Sequence, residues 1–253
     1  MSTSRGSTGK RAGLSRGAIV AKAVELSERQ GIDGWSMRQL AGELDVVGSV
    51  LYHYFSSKDE VCDAVVDTVM RDIVMPDPTL EWKEWFTAVL QAARPVLIKY
   101  HGVTERLKTG RFTEIALPAL DLAMEKLHRA GFGTLSPLAY SMIVNVAINT
   151  ISARNMRALD RPGPHHDIRE MMSRLDPMAQ RSPGLRLMTH GLFEHFLDPE
   201  EGEAVSQTYY DLILASVLDG IENVVLPLAD KASDEYACCQ EQLEGPDTPP
   251  FSG

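Results

Sequence analysis

The sequence predicts an all-α fold in which a small N-terminal three-helix unit precedes a larger helical body. Apolar residues recur three and four positions apart through most of the chain, which is the spacing of one face of an α-helix. We find no alternation of apolar and polar residues typical of strands, and no repeat of fixed period. Hydrophobic residues make up 44% of the 253 positions, which is enough to bury a core.

The first two helices are predicted from their capping residues. The first begins after Ser15 and ends at Gly31. Its buried face is predicted to hold Ile19, Ala23 and Leu26. The second begins after Ser36, with Gln39 as the reciprocal partner of a capping box. Its apolar face is predicted to hold Met37, Leu40, Ala41 and Leu44.

A third helix is predicted over residues 47–54, after a break at Asp45. Val47, Leu51 and Phe55 repeat every four residues and are predicted to anchor it. The opposite side then carries Ser49, Tyr52 and His53, with Gly48 and Val50 at its margins. None of these side chains is acidic, so this face can approach a polyanion without repulsion. The pattern alone also allows the aromatic residues to pack in a helical core.

The second and third predicted helices and the tight turn between them form a helix-turn-helix pattern, and further residues make this pattern more specific. The features are Ala23, Gly31, the run SMRQLA at 36–41, and the run LYHYF at 51–55 followed by Lys58. On these residues, the stretch from Leu14 to Asp67 resembles the DNA-binding domain of the TetR (tetracycline repressor) family. The implied order is a DNA-binding domain over residues 14–60 and a ligand-binding and dimerisation domain over residues 61–230. Composition predicts a flexible basic arm at 1–13 and a disordered tail at 231–253.

The resemblance implies two kinds of contact with duplex DNA. Phosphate contacts are implied for Arg38, Tyr52 and Lys58, and base-edge contacts for Gly48, Ser49, Val50 and His53. Three further basic residues are predicted to reach the neighbouring backbone or minor groove: Lys10, Arg11 and Arg16. The chain departs from the family at two positions. Asp45 replaces the usual turn glycine, and Val47 replaces a hydroxyl cap, so the third helix could start one residue later.

The distribution of charge is consistent with a nucleic-acid module on an acidic body. The net charge is −10, yet residues 1–60 carry eight basic and seven acidic side chains. The remaining residues carry 17 basic and 28 acidic side chains. This asymmetry therefore favours DNA contact at the N-terminal end of the chain.

The body is predicted to consist of long amphipathic helices near residues 80–100, 105–112, 116–130, 137–159 and 204–226. Residues 161–183 are predicted to be mostly loop, in which short helical turns could occur. The resemblance implies a homodimer formed by the last long helices. The predicted interface comprises Tyr209, Leu212, Ile213, Ser216, Val217, Gly220, Ile221 and Val224. Burial of that helix inside one subunit is the alternative.

The resemblance also implies a small-molecule pocket in the body, for a hydrophobic or amphipathic effector. The candidate lining residues are Trp85, Phe86, Tyr100, His101, Phe112, Met142, Asn145, Asn149, Met156 and Phe193. Asn145 and Asn149 lie four residues apart on an otherwise apolar helix, and a ligand could satisfy two buried amides. The two amides could equally bond to the backbone or face solvent. The aromatic and methionine residues could equally be ordinary core.

Other function classes lack their sequence signatures. No phosphate-binding loop, dinucleotide fingerprint, nucleophile elbow or zinc-protease motif occurs, so no catalytic residue, cofactor or metal is predicted. The opening residues lack the apolar segment of a secretory signal, and acidic residues interrupt the apolar stretch from Tyr209 to Ala229. Three cysteines give no disulfide framework. We therefore expect a soluble cytoplasmic protein without a membrane partner.

The resemblance implies a bacterial transcriptional regulator, most simply a repressor, that binds a pseudo-palindromic operator as a homodimer and is released by a small molecule. Two alternatives stay open at this point. One is an activator or architectural DNA binder without an effector. The other is a helical ligand-binding or catalytic protein whose DNA-binding head is vestigial.

Overall fold

The computed structural model describes residues 14–110, 114–157 and 167–229. These residues form eleven α-helices and no strand, which confirms the predicted all-α class. The helices are α1 (Arg16–Gln30), α2 (Met37–Glu43), α3 (Gly48–Leu51), α4 (Lys58–Met70), α5 (Trp82–Lys99), α6 (Val103–Lys108), α7 (Leu117–Arg129), α8 (Ser136–Arg157), α9 (Ile168–Ala179), α10 (Pro183–Met188) and α11 (Pro199–Gly220). Turns of 3-10 or π helix lie at Glu114–Ala116, Gly133–Leu135, Thr189–Phe193, Glu194–Leu197 and Ile221–Val225.

Side-chain caps begin the first helices where the sequence predicts them. The Ser15 hydroxyl accepts a hydrogen bond from the Ala18 amide at 3.1 Å, and the Ser36 hydroxyl accepts one from the Gln39 amide at 3.2 Å. Gly31 ends α1 with a φ of 78°, a conformation that glycine adopts without strain. The predicted inward residues of α1 are fully buried, so α1–α3 form a compact head.

Helix α4 joins this head to the body. The Ser57 hydroxyl caps it by accepting from the Glu60 amide at 3.2 Å. Its inward side chains Val61, Cys62 and Val65 are fully buried against the head, and burial raises the pKa of the Cys62 thiol to about 11. The same helix contacts α5 in the body. The predicted domain boundary between residues 60 and 61 therefore falls inside α4 and stays a prediction.

Polar contacts tie the long helices α5, α8 and α11 together around the body core. The Tyr210 hydroxyl donates to the Leu90 carbonyl at 3.0 Å. Glu203 of α11 accepts from Arg94 of α5 and Arg154 of α8, each at 2.8 Å. Because the two arginines share one carboxylate, all three helices are held in one arrangement.

The stretch predicted to be mostly loop contains a regular helix, and that prediction is wrong. Helix α9 has 12 residues and is capped by Asp167, whose carboxylate accepts from the amides of Arg169 and Glu170 at 2.9 and 3.1 Å. Pro177 lies inside the helix and obscures its periodicity. The last long helix also begins earlier than predicted, at Pro199, because Asp198 provides its cap.

Two helical stretches, Glu114–Arg157 and Pro199–Ala229, are long and apolar enough to cross a membrane by length and composition alone. Each contributes inward residues to the shared core, among them Ile143 and Leu214. Only 28% of the most apolar window of the second stretch is buried within the chain. Apolar surface on α11 is therefore available to a partner.

Candidate functional site

The turn between α2 and α3 is tight, although it lacks the usual glycine. Asp45 has a φ of 53°, a left-handed conformation that aspartate tolerates better than most residues. The Val46 amide donates to the Ala41 carbonyl at 3.0 Å and closes the turn. Val47 then caps α3 with extended backbone and no side-chain hydrogen bond. The turn therefore survives both departures from the family pattern.

The third helix is shorter than the predicted 47–54, because α3 ends at Leu51 and residues 52–54 form a turn. Helix α3 and this turn together present a ridge of exposed side chains over a buried anchor, which we call the α3 ridge. Leu51 and Phe55 are buried, whereas Tyr52 is 55% exposed. Ser49 and His53 are also exposed. Gly48 and Val50 are half-buried at the margins. The alternative in which Tyr52 and His53 pack in a helical core is therefore wrong.

Val47 does not anchor α3, so that part of the prediction is wrong. Its side chain is 67% exposed. Because Val47 occupies the cap position, with φ −79° and ψ 145°, it does not follow the helical register of Leu51 and Phe55. The exposed isopropyl group adds an apolar element to the ridge that sequence periodicity missed.

The backbone beside the ridge is open. A Cβ atom added at Gly48 would have no heavy atom of the protein within 4 Å, and the same is true of Gly42 in α2. Arg38, on the exposed side of α2, is free to extend from the head. The head therefore offers a guanidinium, hydroxyls, an imidazole and accessible backbone on neighbouring helices, which are the groups that read duplex DNA.

Arg16 is exposed but has partners within the head, and its predicted contact with DNA stays a prediction. Its guanidinium donates to the Tyr54 carbonyl at 2.7 Å and to Glu60 at 2.6 Å, and lies 4.0 Å from the centre of the Phe55 ring. These contacts fix the end of the ridge against α1 and α4. The other two basic arm residues, Lys10 and Arg11, lie outside the described residues.

Glu60 completes this cluster at the start of α4. Its carboxylate accepts from the Ser56 amide at 2.7 Å and from the Ser56 hydroxyl at 2.9 Å, in addition to Arg16. These bonds stabilise the charged form and lower the pKa of Glu60 from 4.5 to about 2, with the Ser56 amide as the largest cause. The cluster therefore depends on an ionised carboxylate.

Lys58 also has a partner within the chain. Its ammonium donates to the Asp33 carbonyl at 2.9 Å and lies 4.8 Å from the centre of the Trp35 ring. Trp35 in turn donates its indole N–H to the Ser27 hydroxyl at 2.9 Å. Lys58 thus fastens the α1–α2 loop to α4, and the geometry does not support its predicted phosphate contact.

A cluster of charges joins head and body at α6. Arg106 donates to Asp33 of the α1–α2 loop at 3.0 Å and to Asp59 of α4 at 3.1 Å. Beside it, the Ile32 amide donates to the His101 carbonyl at 2.8 Å. A Cβ atom at Gly102 would lie 2.8 Å from Ile32, so the two segments are in close contact.

The body contains a cavity of about 390 Å³ between α8, α9 and α11. Two residues of the predicted effector set, Met156 and Phe193, line it. A second cavity of about 450 Å³ lies at the junction of head and body and is lined by His101 and Met156 among others. Both volumes are within the range of about 300–1,000 Å³ that small-molecule sites occupy.

The other predicted effector residues do not meet in one pocket. Trp85, Phe86 and Tyr100 are buried core residues, with the first two rings packed edge to face at 5.2 Å. Asn145 and Asn149 are exposed, which contradicts two buried amides and agrees with the alternative that they face solvent. Met142 is exposed with them, because the inward side of α8 is formed by Ala139, Ile143, Ala147 and Ile151. Phe112 lies outside the described residues.

The predicted dimer face of α11 is largely exposed. Tyr209, Leu212 and Val224 are 51%, 64% and 65% exposed. Ser216 is also exposed, and the remaining half-buried members are Ile213, Val217 and Gly220. Ile221 is fully buried and cannot meet a second copy, so its assignment is wrong. It lies in register with the inward residues Tyr210, Leu214 and Leu218.

Comparisons with known proteins agree with this geometry. The family model of bacterial regulatory proteins, tetR family, matches residues 19–65. A helix-turn-helix transcriptional regulator of Saccharopolyspora erythraea is 30% identical over 161 residues, covering 62% of this chain and 68% of that protein. The transcriptional repressor DrrR1 of Streptomyces coeruleorubidus is 31% identical over 123 residues, covering 49% of this chain and 45% of that protein.

A solved structure supports the fold over most of the chain. ActR, a TetR-family protein of Streptomyces coelicolor solved in complex with actinorhodin, superimposes with a TM-score of 0.59. It is 20% identical, and the match covers 83% of this chain and 99% of that one. The exposed α3 ridge, the family match over the head and the Saccharopolyspora erythraea relative, of which the chain covers 68%, lead to one conclusion. The chain belongs to the tetR family of helix-turn-helix, DNA-binding transcriptional regulators.

Proposed function

We propose that this regulator is a repressor that binds a pseudo-palindromic operator as a homodimer and is released by an amphipathic small molecule. The observation that carries the DNA-binding part is the exposed ridge of α3 above the buried Leu51 and Phe55. The relative named a repressor favours repression over activation. Proteins of this family are regulators rather than enzymes and act in the cytoplasm, where the operator is.

In this proposal α3 lies in the major groove. Ser49 and His53 face base edges, and the half-buried Val50 contacts a thymine methyl group. Tyr52 and Arg38, both exposed, donate to phosphates on either side of the groove. Gly48 has open space at its Cβ position and allows the backbone to approach the bases.

The exposed apolar face of α11 supports dimerisation. Leu212 and Val224 are about two-thirds exposed, at 64% and 65%. Helix α8, which packs against α11, leaves Leu138 53% exposed. Burying these side chains against a second copy removes apolar surface from water. A two-fold dimer places its recognition helices about 34–36 Å apart, one turn of the duplex.

The effector response is proposed to run from the body cavity to the head through α8 and α6. Met156 and Arg157 line the cavity, and Ser152 lies one helical turn away on α8. Its hydroxyl donates to Glu105 of α6 at 2.6 Å and accepts from Lys108 at 2.8 Å. A ligand that changes the position of α8 would therefore move α6, whose Arg106 holds the head. It must bind the two arrangements with different affinities.

An electrophoretic mobility shift on the duplex upstream of the regulator's own gene tests the DNA-binding part. We expect a shift for the wild-type protein and its loss for Tyr52→Ala. Leu187→Ala, at a 78% exposed position of α10, is the matched control and should bind like the wild type. Circular dichroism verifies that each variant is folded. Full binding by Tyr52→Ala would contradict the assignment of the ridge.

A further inference from the structure

The cavity between α8, α9 and α11 is almost entirely apolar. Its walls are formed by methionine, leucine, isoleucine and aromatic side chains, including Met156, Met171, Phe193 and Phe196. Two described lining residues carry hydroxyl groups, Thr150 and Tyr209, and that of Thr150 already donates to the Val146 carbonyl at 2.7 Å. None of the described residues that line the cavity is acidic. They therefore offer no countercharge to a cationic ligand.

Among the described lining residues, one charged side chain, Arg157, interrupts this apolar wall. Its Nε atom is buried without a hydrogen-bond partner, and its guanidinium lies 4.5 Å from the centre of the Phe196 ring. Within the described residues we find no ion pair to Arg157. Arg154, one turn earlier on α8, has one, because its guanidinium lies 2.7 Å from Glu203. Arg157 is therefore a cation whose charge the described part of the body does not neutralise.

An unpaired guanidinium in partly apolar surroundings is costly, because its charge is not fully solvated. Burial lowers the pKa of Arg157, and the nearby charge of Arg154 lowers it further. Arginine nevertheless stays protonated in proteins. An anion at this position would regain the lost solvation and use the unsatisfied donor.

We infer that this cavity binds an amphiphile with a single anionic head group, which pairs with Arg157 while the apolar part lies against Met156, Met171 and Phe193. This inference rests on the proposed ligand response of the body and gives the chemical class of the ligand. A carboxylate and a phosphate share the required chemistry, since both accept paired hydrogen bonds from a planar guanidinium. The ligand reaches the cavity past Met156 and Tyr209, which are 43% and 51% exposed.

Isothermal titration calorimetry on the full-length protein tests this inference with three probes of equal chain length: decanoate, decyl phosphate and decanol. We expect at least one of the two anions to bind about tenfold or more tightly than decanol, because a charged hydrogen bond is gained. Arg157→Gln should lower the affinity for that anion to the level of decanol. Arg174→Gln, which removes an exposed arginine of α9 outside the cavity, should leave it unchanged.

Equal affinity of the wild-type protein for decanol and both anions would overturn the inference, even if Arg157→Gln failed to fold. Unchanged anion binding by a folded Arg157→Gln variant would also overturn it. A preference between decanoate and decyl phosphate identifies the head group. A mobility-shift titration separates this result from the proposed response. If an anion binds through Arg157 but does not release the operator, the cavity chemistry is supported and the response is contradicted.

Discussion

The guanidinium of Arg106 lies 3.0 Å from the carboxylate of Asp33 and joins the body to the head. Arg106 belongs to α6, and its side chain is only 11% exposed. Asp59 and Asp63 of α4 complete the cluster at 3.1 and 3.4 Å. One cation of the body thus neutralises carboxylates on the α1–α2 loop of the head and on the connecting helix α4, so the orientation of the head depends on the position of α6.

Replacing this cation should weaken the junction. We expect Arg106→Gln to lower the free energy of unfolding by about 1–2 kcal/mol, because three carboxylates lose their countercharge while water screens part of the effect. Urea denaturation followed by circular dichroism measures the change. Arg129→Gln is the control, since Arg129 is 77% exposed and its ion pair among the described residues is with Glu125 of its own helix. An equal loss in both variants would argue against a special role for Arg106.

Gly48 allows a test of DNA approach that does not disturb the fold. A Cβ atom at this position meets nothing in the protein, so Gly48→Ala should fold with unchanged stability. If the backbone of α3 approaches the bases, the added methyl group should reduce operator affinity by about tenfold or more. Gly184→Ala adds the same methyl group at an equally open position of α10 in the body and should bind normally. Normal operator binding by both variants would show that the backbone at Gly48 does not approach the bases closely.

Arg38 is expected to contact a phosphate, which predicts a specific dependence on salt. Each phosphate that is neutralised releases condensed counterions, so Arg38→Gln should reduce the slope of log affinity against log salt by about one. Fluorescence anisotropy with labelled duplex at several salt concentrations measures this slope. Arg174→Gln removes the same charge from the body and should leave the slope unchanged. If the two variants have the same slope, Arg38 does not contact DNA.

The cluster of Arg16, Ser56 and Glu60 predicts a pH dependence of stability. Because folding lowers the pKa of Glu60 from 4.5 to about 2, the ionised carboxylate stabilises the native state above pH 4.5. This contribution is lost as the pH falls from 4.5 to about 2. As the pH falls from 4.5 to about 2, the free energy of unfolding should therefore decrease less for Glu60→Gln than for the wild type. Glu84→Gln, at an exposed position of α5, should follow the wild-type curve.

The ends of the first two helices of the head could be predicted because capping residues close in sequence determine them. Ser15, Ser36 and Gly31 fix the ends of α1 and α2 through bonds within a few residues, and such signals can be read from sequence. Val47 was misassigned because helical periodicity was extended through a residue that caps the helix. Arg16 has partners 38 and 44 residues away, and sequence spacing cannot reveal such contacts.

The body was harder to predict because its helices are apolar on more than one side. Helix α8 carries aliphatic residues around Asn145 and Asn149, so the sequence could not show which side faces the core. Arg157 lacks an ion pair among the described residues because of where α9 and α11 lie, and Pro177 obscured α9. Ile221 is fully buried, unlike the other residues of the predicted dimer interface. Only the register of the folded helix shows this difference.

The proposed dimer interface on α11 connects the body to operator recognition, so a change in this interface should affect both assembly and DNA binding. Leu212 is 64% exposed near the middle of α11, and a second copy packed on this face would bury it. Leu212→Glu places a charge there, which is costly without a countercharge. We expect size-exclusion chromatography with light scattering to give a monomer, and operator affinity to fall, since one head alone contacts only half of the site. Leu187→Glu, at a 78% exposed position of α10, should remain dimeric and bind DNA. A dimeric, DNA-binding Leu212→Glu variant would exclude this face as the interface.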